Sequence, residues 1–319
     1  MPRSLALAVD LGGTKVEAAL VGPDGTLEPG SRHRRPTGPA ASSEDLVRAV
    51  AEAVGAAQAA LPPDAELLGV GIGSAGPIDL EAGTVSPLNL PVWRGHPLAA
   101  DVAAMVPGVP VTLRIDGLCI ALAEAWIGAG RGVGNLLGMV VSTGVGGGLL
   151  LGGEPAPSPS GNGGHIGHVE VGGFDDACAC GGTGCLEAIA SGPRTVAWAR
   201  TQGFTGETGE ELALAHAAGD PIALAAVARA GTAIGRAIAS ATNLVDLDLV
   251  AIGGGFSRVS PALLDHARRA VEERTAFDFA RRVRIVPSGL SDEGPLIGAA
   301  ALVHRPGRMH GIQTRESAG

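Results

Sequence analysis

Residues 5–21 read LALAVDLGGTKVEAALV, so that two short apolar runs flank the polar turn DLGGTK at 10–15. Apolar runs of this length on both sides of a glycine turn predict a β-hairpin. The same plan returns at Leu136–Leu151, where the turn glycines are Gly144, Gly146, Gly147 and Gly148. Two Gly-rich turns, each between apolar strands, indicate an internal duplication.

Helices and strands alternate along the rest of the chain. Helical patterns begin at Ser43 and at Asp220-Pro221, and also cover 98–106 and 117–128, the latter with Asp116 as a candidate N-cap. Strands are predicted at 67–72, 109–113 and 248–252, and a Gly- and Pro-rich loop fills 73–97. This alternation predicts an α/β protein.

Charge and length restrict the class of protein. The 319 residues carry 23 Lys and Arg against 32 Asp and Glu, a formal net charge of −9 that would repel nucleic acid. A length about twice the typical domain of roughly 150 residues predicts two domains. The first apolar run is too short for a signal peptide, and glycines interrupt the longest uncharged stretch, Gly132–Gly153. We therefore expect a cytoplasmic protein without a membrane span.

Three familiar nucleotide-related motifs can be set aside. Residues 71–76 satisfy G-x-G-x-x-G, but Pro77 and Gly83 follow where a dinucleotide site requires a helix. The HIGH tetrapeptide at 165–168 matches class I aminoacyl-tRNA synthetases, whose second motif needs two lysines, whereas Lys15 is the only lysine. The sequence also lacks the G-x-x-x-x-G-K-[ST] pattern of a P-loop.

Phosphate binding by glycine turns explains the sequence better than any of these three motifs. Turns at 12–14 and 143–148 and the cluster at 253–255 can expose backbone N–H groups to phosphate oxygens. Asp10 precedes the first turn, and its carboxylate is the kind of hard ligand that Mg²⁺ prefers. Either turn alone would be read as an ordinary hairpin turn. Their combination predicts a phosphate site.

A cluster of cysteines near one histidine predicts a metal site. Cys178, Cys180 and Cys185 follow the pattern C-x-C-x₄-C, and His168 lies ten residues before the first of them. Three thiolates and one imidazole complete a tetrahedral shell, as in structural Zn²⁺ sites. The alternative is that buried thiols merely cluster here without a metal.

Four motifs occur in the order found in the ROK family of sugar kinases. They are DLGGTK at 10–15, STGVGGG at 142–148, GHIGH at 164–168 and CACGGTGCLE at 178–187. The chain resembles that family over nearly its whole length. The resemblance implies two actin-like, ribonuclease H-like α/β domains around a central cleft. It also implies transfer of the γ-phosphoryl group of ATP to the 6-hydroxyl of a hexose.

The resemblance further implies how the chain is divided. Residues 1–116 and a C-terminal helix at about 295–319 would form the small domain, and 117–294 the large domain with the zinc-binding loop. Hexose and ATP would be the partners, Mg²⁺ and a structural Zn²⁺ the metals, and a homodimer or dimer of dimers the assembly. Nucleic acid and membranes are not expected as partners.

Roles for individual residues also come from the resemblance. Asp116 matches the catalytic base, although an Asp at a helix start is more often only a cap. The sugar-contacting positions are His165, His168 and Glu187, and His168 could bind zinc through its other nitrogen. The positions expected to bind the nucleotide and its phosphates are Asp10, Gly12, Gly13, Thr14, Lys15, Thr143, Gly144, Gly146, Gly147, Gly253, Gly254 and Gly255.

Two residues depart from the family pattern. Ile115 stands where the family has Asn before the base, and His165 stands where Glu is common. The GHIGH form is similar to that of bacterial N-acetylmannosamine kinases, which keep the Asn. Glucokinase is the first expectation, with an N-acetylmannosamine (N-acylhexosamine) kinase or a catalytically inactive sugar sensor as alternatives. Because the first turn begins at residue 10, we do not expect the DNA-binding domain of ROK repressors.

Overall fold

The computed structural model describes residues 3–290 and 292–306, which form twelve strands and ten α-helices. The strands are β1 (Arg3–Leu11), β2 (Lys15–Val21), β3 (His33–Pro36), β4 (Ala65–Ser74), β5 (Ile78–Asp79), β6 (Thr84–Val85), β7 (Val111–Ile115), β8 (Leu136–Val141), β9 (Val145–Leu151), β10 (Glu154–Pro155), β11 (Leu249–Gly253) and β12 (Arg284–Pro287). The helices are α1 (Ser43–Ala59), α2 (Leu98–Met105), α3 (Asp116–Trp126), α4 (Leu186–Ala190), α5 (Gly192–Thr201), α6 (Gly209–Ala217), α7 (Pro221–Val245), α8 (Ala262–Arg274), α9 (Asp278–Arg281) and α10 (Gly294–His304).

The two large sheets have the same strand order. The first runs β3-β2-β1-β4-β7, and the second runs β10-β9-β8-β11-β12. In each sheet the first three strands in sequence pair antiparallel, and the next two strands continue the sheet in parallel. Both predicted hairpins are therefore confirmed, β1–β2 and β8–β9, and so is the duplication. The shared order is that of the actin-like, ribonuclease H-like fold.

Each sheet has its own hydrophobic core, and α3 lies between them. One core collects β1, β2, β4, α1 and most of α3, and the other collects α4, α5, α7 and α8. Helix α3 packs against β4 and β7 of the first sheet and against β8 and β9 of the second. The first residue of this helix, Asp116, consequently lies where the two lobes meet.

The C-terminal helix returns to the first sheet. Helix α10 packs on β1, β4 and α3, although it follows the second sheet in sequence. The helix ends at His304, and residues 307–319 of the predicted C-terminal helix lie outside the described residues. The boundaries of the two domains stay a prediction.

Several helix starts follow from local chemistry. Ser42 and Asp45 form a reciprocal capping box at the start of α1, and Asp220 caps α7 through the N–H groups of Ile222 and Ala223. The prediction that Asp116 is the N-cap of α3 is wrong. Ile115 is the N-cap, with extended backbone, and Asp116 is already helical, so its carboxylate is not needed as the cap.

The loop predicted at 73–97 contains a small hairpin, because β5 pairs antiparallel with β6. Helix α7 is the one described helix whose length and hydropathy alone would allow a membrane crossing. Its apolar residues are largely buried in the second core, against α4, α5 and α8. Burial of this kind is ordinary for the central helix of a folded domain.

Candidate active site

The first phosphate turn joins β1 to β2 and is held by backbone contacts. The Gly12 N–H donates to the Lys15 carbonyl at 2.9 Å, and the Thr37 hydroxyl donates to the Gly12 carbonyl at 2.9 Å. Thr14 is exposed, while Gly12 and Gly13 are partly exposed. The tip of the turn therefore keeps backbone surface that a phosphate could reach.

Lys15 does not project freely from this turn. Its ammonium pairs with the buried carboxylate of Glu17, which also receives Arg32 at 3.0 Å and Arg34 at 2.8 Å. Arg32 in turn reaches Asp292 at 2.8 Å. These cations hold the pKa of Glu17 below its usual value against the effect of burial. Three cations, Lys15, Arg32 and Arg34, are thus held beside the turn by their ion pairs with Glu17.

The second phosphate turn joins β8 to β9 and contacts Glu187. The Val145 N–H donates to Glu187 Oε2 at 2.9 Å, and the same oxygen would lie 2.6 Å from a Cβ placed on Gly144. Thr143 is exposed and Gly146 has open space beside it, whereas Gly147 is buried within β9. Thr143 and Gly146 thus face accessible space, Gly144 packs closely against Glu187, and Gly147 packs within the sheet.

The third glycine cluster lies beside the second turn. A Cβ on Gly254, whose φ is +97°, would lie 2.5 Å from the Val141 carbonyl, and one on Gly255 would lie 3.6 Å from the Ser142 hydroxyl. Gly253 ends β11, which pairs in parallel with β8. The fold therefore places 253–255 and 141–144 at one edge of the second sheet.

Three carboxylates predicted from different parts of the sequence are close enough for Asp116 to act on the pKa of Asp10 and for Glu187 to act on the pKa of Asp116. Burial, together with the nearby Asp116 and against the opposing effect of Lys15, raises the pKa of Asp10 to about 7. Burial likewise raises the pKa of Asp116 to about 6, with a smaller contribution from Glu187. Carboxylates with pKa values displaced toward neutrality are typical of sites that exchange protons or hold cations.

Close backbone packing fixes the start of α3 against the second turn. A Cβ on Gly117 would lie 2.1 Å from the Gly147 carbonyl, and one on Gly148 would lie 2.4 Å from Leu118 Cα. Any larger residue at either position would push helix and strand apart. The carboxylate of Asp116 also accepts the Gly117 N–H at 2.7 Å, which orients it.

The predicted metal donors come together. His168 Nδ1 lies 3.6 Å from Cys178 Sγ, Cys180 Sγ lies 3.6 Å from Cys185 Sγ, and all four donor atoms lie within 4.8 Å of one another. Donors bound to tetrahedral zinc at about 2.0–2.3 Å lie roughly 3.5–3.8 Å apart. The donor chemistry and the spacing both fit zinc.

His165 lies beside His168 at the edge of this cluster. Their ring centroids are 4.8 Å apart in an edge-to-face arrangement. Burial, with a contribution from His168, lowers the pKa of His165. A neutral imidazole with one donor and one acceptor nitrogen is therefore the form of His165 at neutral pH.

Ile115 and Asn162 both lie beside Gly76, at a contact between the lobes. Ile115 is 1% exposed, and its Cδ1 would lie 2.9 Å from a Cβ on Gly76. Asn162, which follows β10, accepts the Ile78 N–H and donates to the Ile78 carbonyl, both at 2.8 Å. A second-lobe carboxamide thus satisfies both backbone groups of a first-lobe residue.

Two neighbours of the site were not anticipated from the sequence. Asn89 packs on the first phosphate turn, where its Cβ would lie 2.6 Å from a Cβ on Gly13, and Asn162 bridges the lobes. Neither asparagine belongs to a motif with a known spacing. The only available signal for Asn89 was its place in the long 73–97 loop, since such loops often carry functional residues.

Comparison with known proteins places this arrangement in a family. The model of the ROK family matches residues 6–306. The chain is 33% identical to a glucokinase of Thermotoga maritima over 95% of this chain and 98% of that protein, and 33% identical to an N-acetyl-D-glucosamine kinase of Salmonella heidelberg over 92% and 97%. It superposes on a ROK family glucokinase from Streptomyces griseus, solved with glucose and AMPPNP, with a TM-score of 0.81 at 28% identity, covering 94% of this chain and 99% of that one. This chain belongs to the ROK family.

Proposed function

We propose that this protein is an ATP-dependent hexose kinase that phosphorylates the 6-hydroxyl group, with glucose as its principal substrate. The observation that carries the proposal is the convergence of Asp10, Asp116 and Glu187 beside two glycine turns. The relatives named as glucokinases, one of them solved with glucose and AMPPNP, support the same activity. An inactive sugar sensor would not need a buried, proton-accepting carboxylate at this place.

Asp116 is the proposed general base. A sugar hydroxyl attacks phosphorus more readily when its proton passes to a carboxylate in hydrogen-bond reach, and such catalysis typically contributes 10²–10⁴-fold. The raised pKa of Asp116, about 6, leaves it ionised near neutral pH and more basic than an ordinary aspartate. The Gly117 N–H holds one carboxylate oxygen and leaves the other free for the hydroxyl.

Asp10 and the two turns are proposed to hold the phosphates. The pKa of the buried Asp10 carboxylate is raised to about 7 even though Lys15 and Arg32 oppose the rise, and a metal cation bound at this carboxylate would lower the pKa again. These oxygens fit Mg²⁺, which supplies charge neutralisation of the phosphates when bound. Lys15, Gly12, Gly13 and Thr14 line the same turn, and Thr143, Gly144 and Gly146 would face the phosphates from the other lobe.

His168 is proposed to join the sugar site to a structural zinc. Its Nδ1 faces Cys178, so Nε2 is left for a sugar hydroxyl. Glu187 lies in the first turn of α4, the helix that begins directly after Cys185, and one of its oxygens accepts the Val145 N–H. Zinc bound by His168, Cys178, Cys180 and Cys185 would hold the loop that positions both residues.

A coupled assay of ADP release over glucose, mannose, N-acetylglucosamine and N-acetylmannosamine tests the proposal. We expect glucose to give the highest kcat/KM. Turnover of none of the four sugars, with sugar binding intact by calorimetry, would instead establish a sensor. The cytoplasmic location, the homodimer and the domain boundaries at 116 and 294 stay predictions.

Activity should fall on acidification because Asp116 must be ionised. Its pKa is raised from 3.8 to about 6, so protonation removes the base below about pH 6, and log(kcat/KM) should fall with a slope near one. Saturating Mg²⁺ keeps Asp10 ionised and isolates the effect of Asp116. Profiles between pH 5 and 8 at two Mg²⁺ concentrations measure this. A flat profile down to pH 5 would remove Asp116 from the proton transfer.

An N-acylhexosamine kinase is the second candidate, and His165 and Ile115 favour it. A neutral imidazole can donate to an N-acetyl carbonyl, which a carboxylate cannot do. Ile115 places a buried apolar side chain directly before Asp116, where the family has an amide, and an apolar surface there would suit a methyl group. The relative named N-acetyl-D-glucosamine kinase is 33% identical to this chain, the same identity as the glucokinase of Thermotoga maritima, over a slightly shorter part of the chain.

The double change His165→Glu with Ile115→Asn should move preference toward glucose. A mismatched buried polar group costs about 1–3 kcal/mol, so the ratio of kcat/KM values for glucose and N-acetylmannosamine should rise about tenfold or more. The single changes, measured in parallel, show which residue carries the shift. If the wild type uses glucose strongly, does not use N-acetylmannosamine and keeps its ratio in the double variant, His165 only packs beside the metal loop.

A further inference from the structure

A polar cavity of about 220 Å³ opens on the second lobe, among residues that carry none of the roles proposed above. Its walls come from three segments: Val171–Gly172 after the GHIGH motif, one face of α7, and the end of α8. The polar residues in these walls are Arg236, Ser240, Asn243 and Arg274.

The two arginines approach the same short stretch of backbone. Arg236 Nη1 donates to the Gly172 carbonyl at 2.7 Å, and its guanidinium lies over the Phe174 ring at 5.3 Å. Arg274 Nη2 lies 3.6 Å from the position of a Cβ on Gly172. Arg236 is therefore held in place by a carbonyl and a ring, and both cations face one cavity.

Carboxylates do not neutralise this pair. Among the described residues, neither Arg236 nor Arg274 forms an ion pair, although nearby Arg229 pairs with Asp176. Glu170, the acidic residue next to the Val171 wall, has its side chain against Gly184. Two unneutralised guanidinium groups around one cavity attract an anion.

The number of donors indicates which anion. Ser240 and Asn243 lie four and seven positions after Arg236, on the same face of α7. Neither side chain makes a hydrogen bond within the described part of the chain, so a hydroxyl and a carboxamide are available beside the two guanidinium groups. Two positive charges and four donor groups around one cavity complement the two charges and three terminal oxygens of a phosphoryl dianion better than the single charge and two oxygens of a carboxylate.

We propose that this cavity is a second anion site that binds a phosphoryl dianion, either free phosphate or the phosphate end of a small monoester. The volume is below the roughly 300–1,000 Å³ of sites that enclose whole drug-sized ligands. It suits a phosphoryl group whose attached portion extends into solvent. The proposal does not depend on the hexose kinase activity, because it concerns residues outside that site.

Binding of inorganic phosphate to the full chain tests the proposal, by calorimetry and thermal unfolding at constant ionic strength set with chloride. The glycine turns are themselves proposed to bind phosphate, so the informative quantity is the difference in phosphate binding between Arg274→Gln and Arg269→Gln. Arg269 is an exposed residue of the same helix outside the cavity and serves as the matched control. We expect the control to retain wild-type binding and Arg274→Gln to lose one phosphate site or weaken it about tenfold or more.

Additional binding measurements show whether the ligand is free phosphate or a phosphate monoester, and which results would contradict the proposal. Glucose 6-phosphate and AMP, compared with phosphate, show whether a monoester or the free ion is preferred, and Asn243→Ala should weaken the same site. Equal phosphate binding in Arg274→Gln and Arg269→Gln would overturn the proposal. So would equally tight binding of acetate. A change of oligomeric state in Arg274→Gln, with phosphate affinity unchanged, would assign the arginines to contact with a second copy of the chain.

Discussion

Asp116→Asn should lower kcat by about 10² or more while sugar affinity stays within a few-fold of wild type. The amide has the same shape and can still accept the Gly117 N–H, so the start of α3 should keep its geometry. What is lost is the capacity to accept the hydroxyl proton. Steady-state kinetics for kcat and calorimetry for sugar affinity separate the two effects.

Asp64→Asn is a suitable control for this substitution. Asp64 is exposed, and its side chain makes no hydrogen bond or ion pair among the described residues, so the control should keep full activity. A near-normal kcat in Asp116→Asn would show that another group accepts the proton. A large loss of sugar affinity would show that the carboxylate mainly binds substrate.

Cys180→Ser should lose both the metal and most of the activity. Wild type is expected to hold one zinc per chain, and the substitution removes one of the four donors that lie within 4.8 Å of one another. Structural zinc can contribute on the order of 10 kcal/mol to local folding, so its loss should release the loop that carries His168 and Glu187. Metal analysis of the purified protein, together with sugar KM, checks the prediction.

Asp175→Ser, a substitution in the same loop, is the matched control for Cys180→Ser. Asp175 is exposed and lies outside the donor set, so its replacement should leave metal content and KM unchanged. Chelation of wild type and restoration with zinc should reproduce and reverse the effect of Cys180→Ser. Metal content near zero in active wild-type protein would contradict the zinc site.

Local patterns were enough to predict much of the fold. Each of the glycine turns and each capped start of α1 and α7 is encoded within a few residues, and the four metal donors lie within the short stretch 168–185. Asp116 shows the limit of such patterns, because an aspartate before an apolar run fits the N-cap and the first helical position equally well. The choice was made by the backbone of Ile115, which stays extended with ψ at 141°.

Contacts between distant segments could not be predicted in this way. Asn162 meets Ile78 across 84 positions, and the Arg236 cavity needs α7, α8 and the stretch after His168 to be assembled. Neither the Asn162–Ile78 contact nor the cavity produces a repeating pattern in the sequence, because each depends on how whole helices and strands pack together. The three carboxylates were identified individually, but the contributions of Asp116 to the pKa of Asp10 and of Glu187 to the pKa of Asp116 needed the distances that the fold sets.

Helix α3 packs so closely against its neighbours that mutations far from any ligand should lower the catalytic rate. A Cβ at Gly298 of α10 would lie 1.9 Å from the Cys119 carbonyl, and one at Gly138 of β8 would lie 2.6 Å from Ala121 Cα. Backbone, not side chains, thus fills the space on two sides of the helix, and no rotamer change can absorb an added methyl group. In a variant with alanine at Gly298 or Gly138, the whole of α3 would have to move, and the carboxylate of Asp116, its first residue, would move with it. Tolerance to random substitution should therefore be low at these glycines, even though they are buried far from solvent and contribute no functional group.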